Sequence, residues 1–139
     1  MPVKTISLSF KTRGDAQMLD ITGQTGQAVQ ESKIQDGIVT LFAPGSTAAL
    51  TTIEYEDGAL QDFQRLFDEI VATQRHYAHN ARWGDGNGHS HVRAALLGPS
   101  LTVPFVEGKL LLGTWQQIIF VDFDNRSRNR TVIVQIIGE

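Results

Sequence analysis

Apolar and polar side chains alternate from Lys4 to Phe10. Ile6, Leu8 and Phe10 share one face and Thr5, Ser7 and Ser9 the other, which predicts a strand over 4–10. A turn follows around Gly14. Residues 22–34 predict a helix that Thr22 caps, with Ile21, Ala28 and Val29 on one side, although Gly23 and Gly26 weaken the pattern. Asp36-Gly37 marks a turn. The run Ile38 to Ala43 reads as a strand buried on both faces, Pro44-Gly45 breaks it, and strand resumes over 48–55. The clearest helix is 58–73. Leu60, Phe63, Leu66, Phe67, Ile70 and Val71 follow the three-and-four spacing of one apolar stripe, read as a core face. Asp57 suits its start, and Arg75 and His76 suit its negative end.

From Tyr77 to Ser90 the chain is polar and glycine-rich, and it reads as a loop. Residues 101–105, 109–112, 116–124 and 131–137 then predict four strands. Ile118 to Phe123 is apolar on both faces and belongs at the centre of a sheet, and Trp115 is expected to pack. The segment 124–130, with three arginines, reads as a solvated hairpin tip, with phosphate binding as its alternative. Seven or eight strands with one or two helices, and no helix after each strand, predict an α+β, mainly antiparallel β arrangement.

Composition narrows the classes. The chain has 139 residues, enough for one domain over 1–139. With 41% hydrophobic and 19% charged residues it is not a disordered chain. Its net charge of −3, with no basic stripe, argues against a nucleic-acid partner. No cysteine is present, which rules out disulfides, thiolate clusters and cysteine nucleophiles. No apolar run approaches the roughly 20 residues that span a bilayer, and no leader is evident, so the expectation is a cytoplasmic protein with no membrane partner.

The candidate chemistry lies in the histidines. His76, His79, His89 and His91 fall within sixteen positions. In an extended segment His89 and His91 would project to one side and grip one cation. In a helix the same spacing sets them roughly 200° apart and the grip fails. Closed by Glu54 or Asp85, such a set would suit zinc or a similar ion. A solvated His-x-His loop that binds nothing is the other reading, and the sequence leaves both open. Ser46 and Thr47, after Gly45 at a strand break, would offer hydroxyls and amides to a phosphate or simply cap a turn. No Walker, dinucleotide or nucleophile-elbow pattern is present.

Three blocks carry a resemblance: Asn87-Gly88-His89-Ser90-His91 through Leu97-Gly98-Pro99-Ser100-Leu101, Gly113-Thr114-Trp115-Gln116, and the closing Ile137-Gly138-Glu139. With Ser46-Thr47-Ala48-Ala49 and Glu54, they make the chain resemble the YjbQ-like family from end to end. The resemblance implies a sandwich-like subunit that assembles as a homotrimer. It also implies a histidine-lined cleft that takes up a divalent metal, zinc or magnesium, with no organic cofactor. The family's usual label, secondary thiamine-phosphate synthase, implies transfer of a pyrimidine from its diphosphate to a thiazole phosphate.

Carried over on that basis, His91, His79 and Glu54 are the catalytic candidates. Ser46, Thr47 and Arg93 would hold phosphate, and His79, His89 and His91 would hold metal. Two positions depart from the pattern. Gly45 stands where many relatives have a histidine, and His89 stands where some have none. A non-catalytic trimeric metal- or metabolite-binding protein, and a metal-dependent hydrolase of a small phosphorylated compound, are the alternative readings.

Overall fold

The computed structural model describes all residues from Met1 to Glu139. The elements run β1 (Val3–Thr12), β2 (Gln17–Asp20), α1 (Thr22–Ser32), β3 (Gly37–Phe42), β4 (Ala48–Ile53), α2 (Asp57–Ile70), α3 (Ala78–Trp83), α4 (Gly88–Leu97), β5 (Ser100–Val106), β6 (Lys109–Leu110), β7 (Gln117–Asp122) and β8 (Arg128–Gly138). Every strand pairing is antiparallel. One sheet has the order β1-β8-β3-β5-β6, and a second has β2-β7-β4. The α+β, mainly antiparallel class expected from the sequence is what the chain forms. No helix is long and apolar enough to cross a membrane.

The strand β7 explains the layering. Its residues alternate between two cores. Ile118 and Phe120 point at the larger sheet and join Val39, Leu41, Phe105, Val132 and Val134, with α1 contributing Ala28 and Val29. Ile119, Val121 and Phe123 (just past the strand) point the other way, onto Phe67 of α2 and Ala94 of α4. The small sheet is thus covered on both faces, by the large sheet on one side and by helices on the other. A strand covered on both faces must be apolar at every position, which is why 118–123 reads as an unbroken hydrophobic run. Each of its large side chains contributes about 1.5–3 kcal/mol by leaving water.

Several expectations change. The strand β3 is not buried on both faces: Val39 and Leu41 are fully buried, but Ile38 and Phe42 are exposed at 43% and 44%. They lie on the outer face of the large sheet, which no helix covers. The stripe on α2 is only partly core, because Leu66 and Ile70 are also exposed. Its N-cap is Glu56, which accepts from the Gly58 and Ala59 amides, and not Asp57, which is already helical. Arg75 does close the far end, donating to the Glu69 and Ile70 carbonyls at 3.2 and 3.0 Å. Thr22 does not cap α1; its hydroxyl accepts from the Ile118 amide. Trp115 does not pack but stands 71% exposed.

The largest change lies at 77–90. This stretch folds into α3 and the first turn of α4, and Asn87 to Ser90 are buried. Buried polar groups persist where hydrogen bonds satisfy them. The Ser90 hydroxyl donates to the Phe123 carbonyl, and the Gly88 amide donates to the Asn80 side chain at 2.8 Å. A Cβ at Gly88 would stand 2.6 Å from that of Tyr77, so only glycine lets the two segments meet this closely.

Candidate functional site

Where β7 ends, the chain leaves two aspartates in the protein interior. Asp122 and Asp124 are 0% and 1% exposed. Two residues apart on a near-extended backbone, they project to one side, toward Arg128 and Arg130 on the returning strand β8. The Arg130 guanidinium is bidentate on Asp122, with Nε at 2.7 Å from one oxygen and Nη2 at 2.8 Å from the other. Arg128 Nε lies 3.1 Å from Asp124 Oδ2. Thr12 donates to Asp122, while Thr47 and Asn87 donate to Asp124. Burial pushes both carboxyls toward their neutral forms. Hydrogen bonds outweigh it, from Arg130 and Thr12 on Asp122 and from the Asn125 amide, Asn87 and Thr47 on Asp124, so both sit below the ordinary carboxylate value. The Arg130 guanidinium is correspondingly held more firmly charged by its bonds to Asp122.

The arginines of the expected hairpin tip are therefore not solvated as a group. Arg128 and Arg130 belong to β8 and turn into a cleft of about 530 Å³. Their wall also holds Gly45, Ser46 and Thr47 from the break before β4, Asn87 at the start of α4, His91 on α4, and His79, Trp83 and Asp85 around α3. The acids engage Nε and Nη2 of each guanidinium. Nη1 of neither guanidinium has a hydrogen-bond partner within the chain. A second cleft of about 550 Å³, between β2 and α2, is lined by Arg13, Met18, Tyr55 and Leu60 among others. No histidine reaches it, so the chemistry converges on the first.

The sequence candidates separate cleanly. His79 and His91 come together, with ring centroids 4.3 Å apart. Asp85 Oδ1 lies 3.3 Å from His79 Nδ1, without the alignment of a hydrogen bond, so the contact gains strength only when that ring is protonated. Ser46 and Thr47 line the same cleft. His89 does not join them. Because this segment is helical, its ring is turned away from His91 and buried beside Tyr77, centroids 6.3 Å apart. Burial, reinforced by the Arg93 charge, lowers its pKa.

Glu54 is exposed beyond the far end of β4, roughly 20 Å of extended chain from Thr47. Arg93 is buried and spent elsewhere, donating to the Val71 carbonyl at 3.1 Å and to Asp68 at 3.2 Å, which ties α4 to α2. No group of three histidine and carboxylate side chains is disposed around one ion. The expected ligand set of His79, His89 and His91 is not what the fold assembles.

Sequence reasoning missed Asp122 and Trp83, took Asp124, Arg128 and Arg130 only as part of a hairpin tip with phosphate binding as its alternative, and placed Asn87 in a loop. A signal existed for four of them. Asp-x-Asp ends the most apolar strand and Arg-x-Arg opens the next, so complementary charges face each other across a tight connection.

The family model for UPF0047, YjbQ-like proteins, matches residues 6–139. The chain belongs to the UPF0047 family. A UPF0047 protein of Methanothermobacter thermautotrophicus is 37% identical over 139 residues, covering 100% of this chain and 95% of that protein. One from Archaeoglobus fulgidus is 38% identical over 132 residues, 95% of this chain and 100% of the relative. The fold agrees with a crystal structure of a YbjQ-like protein of unknown function from Sulfolobus solfataricus, with a TM-score of 0.89 at 34% identity over 99% of this chain and 100% of that one. A UPF0047 structure from Clostridium acetobutylicum gives 0.87 at 38% identity, covering 95% and 99%.

Proposed function

We propose that this UPF0047 chain is a thiamine-phosphate synthase-like transferase whose cleft binds a small phosphorylated compound. The observation that carries this reading is the juxtaposition in one cleft of two guanidiniums fixed by buried acids, the Ser46 hydroxyl and a close imidazole pair. Asp122 and Asp124 balance Arg128 and Arg130, so the floor is close to neutral. It offers a phosphate directed N–H and O–H donors rather than net charge, the kind of preorganised array that stabilises a departing oxyanion.

In the transfer, the C–O bond between the pyrimidine methylene and pyrophosphate breaks, and the electron pair leaves with the pyrophosphate. The thiazole nitrogen lone pair closes the new C–N bond. Arg128, Arg130 and Ser46 hold the leaving group, while Thr47, whose one hydroxyl proton goes to Asp124 and whose oxygen accepts from Arg130, keeps those two side chains in place. His79 and His91, side by side at the cleft wall, supply it with a proton. His79, His89 and His91 do not converge, so no step is routed through a metal held by them.

Assembly as a homotrimer belongs to the same proposal. The outer face of the large sheet supports it: cross-strand register sets Ile38 beside Ile137 and Phe42 beside Ile133, with Thr40 and Gln135 between them. Charged side chains are absent from that stretch, and no helix lies over it.

The test incubates purified protein with the aminopyrimidine diphosphate and the thiazole phosphate and follows product and pyrophosphate. Turnover that falls at least about a hundredfold in His79→Asn and His91→Asn, in proportion to a general acid's contribution, supports the reading. No product from folded, contaminant-free protein overturns the transferase assignment.

A further inference from the structure

Ten of the eleven residues around the cleft are not hydrophobic; Trp83 is the exception. It ends the six-residue helix α3 and is 67% exposed. Phe67, Phe105, Phe120 and Phe123 are buried, and of the exposed aromatics Phe42, Tyr55, Trp83 and Trp115 only Trp83 stands on the rim of this cleft. Its backbone is held in place: Gly84 follows with a left-handed φ of 72°, and its amide donates back to the Asn80 carbonyl to close the helix. The Arg82 guanidinium carbon lies 5.6 Å from the ring centroid, which fixes one side of the indole plane. In the lining of the same cleft the Asn87 side-chain oxygen is buried and has no hydrogen-bond donor. A buried acceptor left unmet is costly, so a guest that brings an N–H or O–H to it is favoured.

We infer that Trp83 is a specificity-determining residue: it stacks a planar heterocycle, so the cleft selects phosphate esters that carry such a ring over aliphatic phosphates. This rests on the phosphate-binding reading above. The phosphate would take the free Nη1 donors of Arg128 and Arg130, the ring would cover Trp83, and a donor on the ring would meet Asn87. Stacking a base on an aromatic side chain changes affinity by roughly tenfold or more.

The probes are inorganic pyrophosphate, two ring-bearing phosphates (cytidine 5′-monophosphate and pyridoxamine 5′-phosphate) and two aliphatic ones (ribose 5-phosphate and glycerol 3-phosphate). Each is titrated calorimetrically into the full chain. Indole emission is followed in parallel in a Trp115→Phe background, where Trp83 is the only tryptophan. The expected result is about tenfold tighter binding of the ring-bearing esters, quenching of Trp83, loss of the preference in Trp83→Ala and Trp83→Leu, and its retention in Trp83→Phe. Equal affinities for both classes, or an unchanged preference in Trp83→Ala, overturn the inference while pyrophosphate binding leaves the phosphate reading standing. If none of the five phosphates binds, the phosphate reading itself fails. A shift in oligomeric state in Trp83→Ala with no change in ligand preference makes Trp83 an assembly residue and also overturns the inference.

Discussion

Arg130 lies bidentate on Asp122, its Nε and Nη2 at 2.7 and 2.8 Å from the two carboxylate oxygens. The acid is fully buried and the guanidinium nearly so, with 15% of its side chain exposed. Removing one partner of such a pair leaves a charge without compensation, at a cost of about 3–5 kcal/mol. Asp122→Asn is therefore expected to lower the denaturant midpoint sharply. The double variant Asp122→Asn with Arg130→Met should recover part of that loss, and urea unfolding of the three proteins checks it.

Stability should fall with acid in two stages. His89 has a pKa below its ordinary 6.5, so as the pH drops through 6.5 the unfolded chain takes up a proton that the folded chain refuses. Asp122 and Asp124 have pKa values below the ordinary 3.8, so their contribution is complete above that pH and is lost as the pH falls beneath it. Thermal melts at stepped pH should show both declines, and His89→Gln should flatten the first alone.

Gly138, next to the last residue, behaves as a core position. A Cβ there would stand 2.0 Å from the Asp36 carbonyl oxygen, and one on Gly37 would stand 2.0 Å from that of Ile137. The two backbones cross with no room for a methyl group, so Gly138→Ala is expected to cost about 1–3 kcal/mol. Gly45 is the contrast. A Cβ there meets Arg130 Nη1 at 3.5 Å, an ordinary contact, so Gly45→Ala should unfold within about 0.5 kcal/mol of the parent. Paired melts of the two variants decide whether position in the chain or local space governs.

The outer sheet face gives an assembly prediction. If copies of the chain cover Ile38 and Phe42, sedimentation should return three times the 15.3 kDa of one chain. Ile38→Lys together with Phe42→Lys should return the monomer mass, because burying two ammonium groups at an interface is strongly unfavourable. An unchanged mass in the double variant would place the contacts elsewhere.

How much of this was legible depended on which rule governed each segment. The strand at Ile118–Phe123 was plain because a layer covered on both sides tolerates no polar alternation. The helix α4 was not, because periodicity reads Asn87, His89 and Ser90 as surface, whereas the fold buries them, with the Asn87 amide nitrogen donating to Asp124 and the Ser90 hydroxyl to the Phe123 carbonyl. That one difference separates His89 from the other two imidazoles. The same His-x-His spacing that converges in a strand diverges in the helix, sending His91 to the cleft and His89 to the interior. His79 and His91 do come within 4.3 Å of each other, but their meeting depends on α3 folding back on α4, which no local pattern announces. The arginines were assigned to solvent on net polarity. Their alternation against Asp122 and Asp124 was visible in the sequence, but its meaning required the register of β8.

The cleft's affinity for phosphate is the claim on which the rest depends. Calorimetric titration of inorganic pyrophosphate into the full chain, beside Arg128→Gln, tests it most directly. A hydrogen bond to a charged group contributes about 1.5–3 kcal/mol, so the account predicts saturable binding with one site per chain, weakened roughly tenfold or more in Arg128→Gln without loss of fold. Absence of binding heat in the parent, or equal affinity in the variant, would contradict it.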